Sequence, residues 1–130
     1  MALGLLFLAW FFYQAWERQP KDILKGNNNP NLTEEEKTLV QGRYEEAYAK
    51  LLKATTDDER FSASMQIGFQ YQVILDYRNA KQSFEKAANL KPDNYVAYVA
   101  LYQVDMDTKD NESAREHIKK AISLKEDNPD

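Results

Sequence analysis

The sequence contains no cysteine and is poor in histidine, glycine and proline. Its 130 residues include one His, 4 Gly and 4 Pro. The absence of cysteine excludes disulfides, thiolate nucleophiles, Cys-based metal sites and a lipid-modified N-terminal Cys. The single histidine, His117, has no second imidazole with which to hold a metal or complete a nucleophile arrangement, and we expect it on the solvent-facing side of the last helix. These shortages predict a protein without a metal, a cofactor or a catalytic site.

Basic clusters are also missing. The chain has 17 Lys and Arg against 21 Asp and Glu, a net charge of -4, so the long-range attraction that nucleic acid requires is lacking. No glycine-rich phosphate loop or nucleophile elbow is present. The acidic runs at 34–36 and 57–59 lack the alternating spacing of a calcium loop and suit helix N-termini. The sequence predicts neither an enzyme nor a nucleic-acid-binding protein.

The first residues are strongly apolar. Residues 2–16 carry no charge and one strongly polar side chain, Gln14. The run is shorter than the roughly 20 residues that span a bilayer, yet it lacks the basic start and small-residue cleavage site of a signal peptide. We therefore predict a retained transmembrane or membrane-embedded helix over 1–19, with a soluble core helix as the alternative. Its predicted membrane-facing residues are Leu5, Leu6, Phe7, Leu8, Trp10, Phe11, Phe12, Tyr13 and Trp16.

Basic residues follow this helix and none precedes it. Arg18, Lys21 and Lys25 favour a single-pass anchor with the C-terminal part in the cytoplasm, although the side of the membrane is left open. Residues 20–32 include K-G-N-N-N-P-N, in which Gly, Asn and Pro favour turns. We interpret this stretch as a hinge, with a helical domain over 33–130.

The domain contains an internal repeat. Residues 87–94, A-A-N-L-K-P-D-N, recur as A-I-S-L-K-E-D-N at 121–128, an offset of 34 residues. A partial upstream copy lies at 42–54. This pattern divides the domain into a partial repeat at 33–60 and two repeats at 61–94 and 95–128.

The middle repeat resembles the tetratricopeptide-repeat family. The residues at the family's spacing are Gly68, Tyr71, Ala80, Phe84, Ala87 and Pro92, whereas Ser64 stands where a large aromatic is usual. Small residues at such positions let two helices cross closely. The resemblance implies an all-α fold, a short solenoid of antiparallel helix pairs.

The outer repeats depart from the family pattern. In the third, Tyr102, Asp105 and Glu126 replace the small residue, the Tyr and the Pro. In the first, we expect the leading helix to be reduced to about 33–41, beginning with a capping box at Thr33 and Glu36. The last helix is expected over 111–124, with an apolar stripe of Ala114, Ile118, Ala121 and Ile122.

The resemblance also implies where a partner binds. The first helix of each pair lines a concave groove in this family, and the corresponding residues are Met65, Phe69, Gln72, Val73, Val96, Val99, Gln103 and Met106. This largely apolar set suits an amphipathic helix or an extended apolar segment. It lacks the Lys, Asn and Arg of the family's clamp for chaperone tails. The alternative is that Phe69 and Val99 pack within the domain.

Three functions fit these features. The first is a membrane-anchored adaptor that recruits a protein partner or helps to assemble a membrane complex. The second is an accessory structural subunit docked in a larger membrane complex through its N-terminal helix. The third is an organelle-surface receptor for targeting sequences. Self-association is compatible with each, because about three repeats are needed for stability and one of these is partial.

Overall fold

The protein is helical. The computed structural model describes residues 2–17 and 19–128, and within these ranges it contains six α-helices, one short 3-10 helix and no strand. The all-α prediction is therefore confirmed. The helices are α1 (Ala2–Glu17), α2 (Glu34–Lys53), α3 (Asp57–Val73), α4 (Tyr77–Leu90), α5 (Tyr95–Asp107) and α6 (Asn111–Asp127), and the 3-10 helix is Ile23–Gly26.

Helices α2 to α6 each begin at a side chain that accepts a hydrogen bond from the first helical turn. These N-cap residues are Thr33, Thr56, Asp76, Asn94 and Asp110. Such bonds satisfy backbone N–H groups that have no partner within the helix. The capping box predicted at Thr33 is confirmed, and the acidic runs at 34–36 and 57–59 form the first turns of α2 and α3.

The turns of the two helical hairpins repeat at the interval found in the sequence. Leu75 follows α3 with a φ of 57°, and Lys109, 34 positions later, has a φ of 61°. In both turns the next residue donates its backbone N–H to a carbonyl inside the preceding helix: Asp76 to Tyr71 at 2.9 Å, and Asp110 to Asp105 at 2.8 Å. The 34-residue repeat is therefore present in the backbone geometry as well as in the sequence.

Each of the helices α2 to α5 packs against the next along the chain. Helices α3 and α4 approach each other closely at Gly68, where an added Cβ would overlap the ring of Phe84. Phe84 is fully buried, as are Ala80 and Ala87 on the same helix. The small residues therefore lie where close helix packing requires them.

The first repeat differs from the prediction. Instead of a short leading helix over 33–41 followed by a second one, a single 20-residue helix, α2, runs from Glu34 to Lys53. The expected break lay between Gln41 and Gly42, but Gly42 is exposed within a continuous helix and an added Cβ there would meet nothing. A glycine inside a helix costs only about 1 kcal/mol, which is too little to end a helix that is well capped and packed on α3.

The last helix also differs in detail. It extends to Asp127, and Leu124 lies in its buried stripe with Ala114 and Ala121. Ile122, which we placed in that stripe, is 52% exposed. Ile122 directly follows Ala121, so its side chain leaves the helix about 100° away from the direction of the buried stripe. This difference in direction explains why Ile122 is exposed.

Candidate interaction surfaces

The predicted groove residues lie on α3 and α5, and most are accessible. Phe69, Val73 and Val96 are each 40% exposed, and Met106 is 49% exposed. Gln103 is also exposed, whereas Gln72 and Val99 are half-buried. Met65 is a correction: it is 5% exposed and belongs to the core. A buried methionine offers nothing to a partner, so we remove it from the candidate surface.

The exposed ring of Phe69 packs on the buried ring of Phe84. The two rings meet edge to face, with centroids 5.3 Å apart. This arrangement is favourable for aromatic pairs and restricts the motion of the exposed ring. The outer side of Phe69 is therefore a fixed apolar feature on α3, next to Val73 one helical turn away. The two define the apolar α3 face, and Val96, Val99 and Met106 form the corresponding α5 face.

Helix α1 exposes apolar side chains in every direction. From Leu3 to Tyr13 every side chain is exposed, which leaves no face turned to a core. The predicted membrane-facing residues Leu5, Leu6, Phe7, Leu8, Trp10, Phe11, Phe12 and Tyr13 are between 50% and 72% exposed. The side chain of Trp16 lies outside the described part of the chain. The alternative of a soluble core helix finds no support in these exposures.

The length of α1 is a separate matter. In the described part of the chain, no helix is both long enough and apolar enough to cross a membrane.

Residues 19–33, which we call the connector, include the stretch predicted as a hinge. They pack onto the helices: Ile23 is 4% exposed and its N–H donates to Gln41 of α2 at 3.0 Å. The side chain of Gln41 in turn donates to the carbonyl of Lys21 at 2.9 Å. The helical domain therefore includes residues that precede position 33.

The connector also reaches the turn between α3 and α4. The N–H of Asn28 donates to the carbonyl of Ile74 at 2.8 Å, and the side-chain amide of Asn29 donates to the carbonyl of Val73 at 2.9 Å. An added Cβ at Gly26 would lie 2.7 Å from the carboxylate of Asp76, so glycine permits the close approach. The sequence indicated turns here but gave no sign of this docking.

A cleft lies between α2 and α4, and we call it the tyrosine cleft. Its main lining residues are Lys21, Tyr44, Tyr48, Ser64, Ile67, Tyr71, Ser83 and Lys86, around a cavity of about 170 Å³. The Tyr44 ring packs on those of Tyr48 and Tyr71, with centroids 6.0 and 5.8 Å apart. Sequence reasoning missed this site, although Ser64 in place of a large aromatic was a signal for it.

Burial extends to higher pH the range over which the phenols of Tyr44 and Tyr71 stay neutral. Burial and the neighbouring Tyr44 raise the pKa of Tyr71 well above its ordinary value of 10.0, and burial also raises the pKa of Tyr44. Tyr71 donates its hydroxyl hydrogen to Tyr44, a bond that favours the protonated form of the donor. At neutral pH both side chains therefore act as hydrogen-bonding phenols.

Raised phenol pKa values make stability depend on alkaline pH. Above about pH 10 the unfolded chain releases a proton from Tyr71 that the folded chain retains, so the free energy of unfolding falls as pH rises, by up to about 1.4 kcal/mol per pH unit for one such group. Between pH 7 and 9 this contribution is constant. We expect Tyr71→Phe to show a shallower fall than the parent in urea unfolding followed by circular dichroism at pH 8 to 11.5. Tyr102→Phe, which removes a phenol outside the cleft, is the matched control; parallel curves for Tyr71→Phe and the parent would contradict the assignment.

His117 does not lie free on the surface, which corrects our expectation. Its side chain is 24% exposed, and Nδ1 lies 2.5 Å from the carboxylate of Asp105, which is 1% exposed. The other oxygen of Asp105 is 3.5 Å from the ammonium of Lys81. This group of three, the Asp105 cluster, joins α4, α5 and α6. Its geometry is that of a buried carboxylate contacted on one side by an ammonium group and on the other by an imidazole, a structural arrangement.

Metal-binding potential is limited in the described residues. Among them, no three or more His, Asp and Glu side chains are arranged to hold an ion.

Searches with this chain matched no family model, no curated protein and no solved structure. Conclusions about function must therefore come from the surfaces described above.

Proposed function

We propose that this chain is a membrane-associated adaptor of tetratricopeptide-repeat type and not an enzyme. In this proposal α1 is embedded in a bilayer, and the helices α2 to α6 bind a protein partner through the apolar α3 and α5 faces. The observation that carries the proposal is α1, whose large apolar side chains are exposed around its whole circumference.

The exposed area of α1 is costly in water. Fully burying one large apolar side chain contributes about 1.5–3 kcal/mol, so eight or more of them favour transfer of α1 out of water strongly. Lipid covers all sides of an inserted helix, which suits a helix that has no polar face. At 1.5 Å per residue, its 16 residues measure roughly 24 Å against a hydrocarbon core of about 30 Å. We therefore place α1 within the bilayer without requiring that it cross.

The α3 face supports the adaptor role. Phe69 and Val73 are accessible and adjacent, and the contact of the Phe69 ring with Phe84 reduces the entropy lost on binding. The α3 face is small, so it suits one amphipathic or extended segment better than a broad interface.

A second candidate is an accessory subunit whose α1 packs within a larger membrane complex. The aromatic content of α1 favours it: Phe7 and Trp10 have ring centroids 6.1 Å apart, and Phe11 and Phe12 are 6.2 Å apart. Such rings can pack on neighbouring transmembrane helices as well as in lipid. The short length also suits a helix covered by protein.

Removal of α1 tests the membrane part of the proposal. We expect the full chain to float with phosphatidylcholine and phosphatidylglycerol vesicles in a density gradient, and a chain lacking residues 1–19 to remain at the bottom with unchanged helicity of its domain. The cut precedes Lys21, so the contacts of the connector are retained. Flotation of the shortened chain would refute anchoring through α1.

The partner-binding part needs a separate test. A C-terminal tag on the full chain is used to recover partners from gently solubilised membranes, with Phe69→Glu as the test variant and Asn89→Glu, an equal charge change at an exposed site on α4, as its control. Loss of a defined partner in Phe69→Glu alone supports the α3 face. Retention of that partner by Phe69→Glu, together with its loss on removal of 1–19, supports the accessory-subunit role.

A further inference from the structure

The tyrosine cleft lies apart from the apolar α3 face, and its origin can be traced to one residue. Ser64 is 4% exposed and lies at the base of the cleft, at the position where repeats of this kind usually carry a large aromatic. A small side chain there leaves space that a large ring would fill. The atoms that line such a space lack the contacts that a filled core provides. The cavity is therefore a consequence of the sequence departure at Ser64.

The size of the cavity restricts what can enter it. Its volume of about 170 Å³ is below the roughly 300–1,000 Å³ that is typical of sites for small molecules and cofactors. It is large enough for one side chain. An occupant of this cleft is therefore a side chain supplied by another protein segment.

The charge of the cleft is opposite to that of the molecule. The chain carries a net charge of -4, yet the lining of the cleft contains Lys21 and Lys86 and no carboxylate. Within the described part of the chain, neither lysine forms an ion pair with an acidic side chain. Three other cavities each include at least one carboxylate, from Glu59, from Asp57 or from Glu35. The tyrosine cleft thus favours an acidic group.

The remaining surface of the cleft combines donors with an apolar base. Tyr44, Tyr71, Ser64 and Ser83 line it with hydroxyl-bearing side chains, of which Tyr71 already donates its hydrogen to Tyr44, and the tyrosine rings and Ile67 supply apolar area. Lysine ammonium groups donate and cannot accept, so a carboxylate is the complement with the best hydrogen-bonding match. An occupant with methylene groups before its carboxylate would contact both parts.

We propose that the tyrosine cleft binds one glutamate side chain from an acidic segment of a protein partner. Its methylene groups pack on Ile67 and the ring of Tyr44, and its carboxylate lies between Lys21 and Lys86. This site is additional to the apolar α3 and α5 faces and does not rest on them.

The test uses the full chain in detergent micelles and a defined probe. The probe is a capped peptide with alternating glutamate and leucine, and its counterpart replaces every glutamate by glutamine. Binding is measured by NMR, from peptide-induced shifts of backbone amides in α2 and α4. We expect the glutamate peptide to shift the signals of Tyr48 and Lys86, and the glutamine peptide to bind at least about tenfold more weakly, a difference of about 1.4 kcal/mol.

Four variants determine where the peptide binds. Ser64→Phe fills the cavity and Lys86→Glu reverses one charge; each is expected to weaken binding about tenfold, whereas Asn89→Glu changes it less than about twofold. If Ser64→Phe does not fold, as judged by circular dichroism, the exposed substitution Lys86→Glu carries the test. Phe69→Glu should leave peptide binding unchanged, which separates this site from the α3 face.

Several outcomes would overturn the proposal. Equal affinity for the glutamate and glutamine peptides would show that the carboxylate is not recognised. Full binding by both Lys86→Glu and a folded Ser64→Phe would place the peptide elsewhere. Free glutamate that produced the same shifts with the same affinity would show a site for a small anion instead of a partner segment.

Discussion

Phe84→Ala is expected to lower the free energy of unfolding of the helical domain by about 3–5 kcal/mol. Phe84 is fully buried, its ring occupies the space that Gly68 leaves open, and Phe69 packs on its edge. Removal of the ring leaves a cavity between α3 and α4 that the backbone cannot close, because α4 also packs on α5. The measurement is urea unfolding of the full chain in micelles, followed by circular dichroism.

Phe69→Ala is the matched control for that change. It removes the same ring from a side chain that is 40% exposed, so a smaller loss is expected, about half as large. Domains of this size have a total stability of about 5–15 kcal/mol, so Phe84→Ala should leave the chain close to unfolding at physiological temperature. Equal losses for the two variants would contradict the view that Phe84 is the main contact between α3 and α4.

The second large effect is expected at the Asp105 cluster. The double variant Lys81→Met with His117→Leu removes both side chains that contact the carboxylate of Asp105 and leaves that carboxylate buried without a partner. Breaking a buried ion pair in this way costs about 3–5 kcal/mol, because the remaining charge has lost its solvent and its counter-ion. Thermal and urea unfolding of the double variant and the parent would measure the loss.

A third substitution distinguishes charge from packing. Addition of Asp105→Leu to the double variant removes the unpaired charge, so we expect most of the lost stability to return. Asp105 occupies the position that Tyr71 holds one repeat earlier, where a larger side chain is accommodated. A triple variant as unstable as the double one would mean that Lys81 and His117 stabilise the domain through their own packing instead of through Asp105.

The sequence predicted the features of the fold that depend on nearby residues. The helix starts at Thr33 and the small residues around Phe84 follow from capping and close packing, which act within one or two turns of a helix or between consecutive helices. The break expected after residue 41 is absent, because the one glycine there, Gly42, costs too little to interrupt a long, well-capped helix.

The sites that sequence reasoning missed depend on contacts between distant positions. His117 was assigned to the surface because it lies on the charged side of the last helix, but its environment is set by Asp105 on another helix. A signal existed: Asp105 stands at the position of a buried tyrosine, and a buried carboxylate requires a cation nearby. The same holds for Ser64, whose small side chain indicated a cavity without revealing the lysines around it.

The residues predicted to line the groove differ in their exposure to solvent. Phe69, Val73 and Met106 are accessible as expected, whereas Met65 lies one turn before Phe69 and is buried. A periodic pattern gives the direction in which a side chain leaves the helix, but the depth of neighbouring helices decides whether it reaches solvent. The exposed extent of the α3 face is therefore shorter than the sequence indicated.

The connector has a mechanical consequence for a chain held at its N-terminus. Tension applied through residues 1–19 would first load the contacts made by Ile23, Asn28 and Asn29. Part of that load would reach the backbone of Val73 and Ile74 directly, without passing along α2. Val73 also belongs to the apolar α3 face. Tension on residues 1–19 and a protein bound to that face would therefore act on neighbouring atoms, so the tension would change the affinity of the face for its partner.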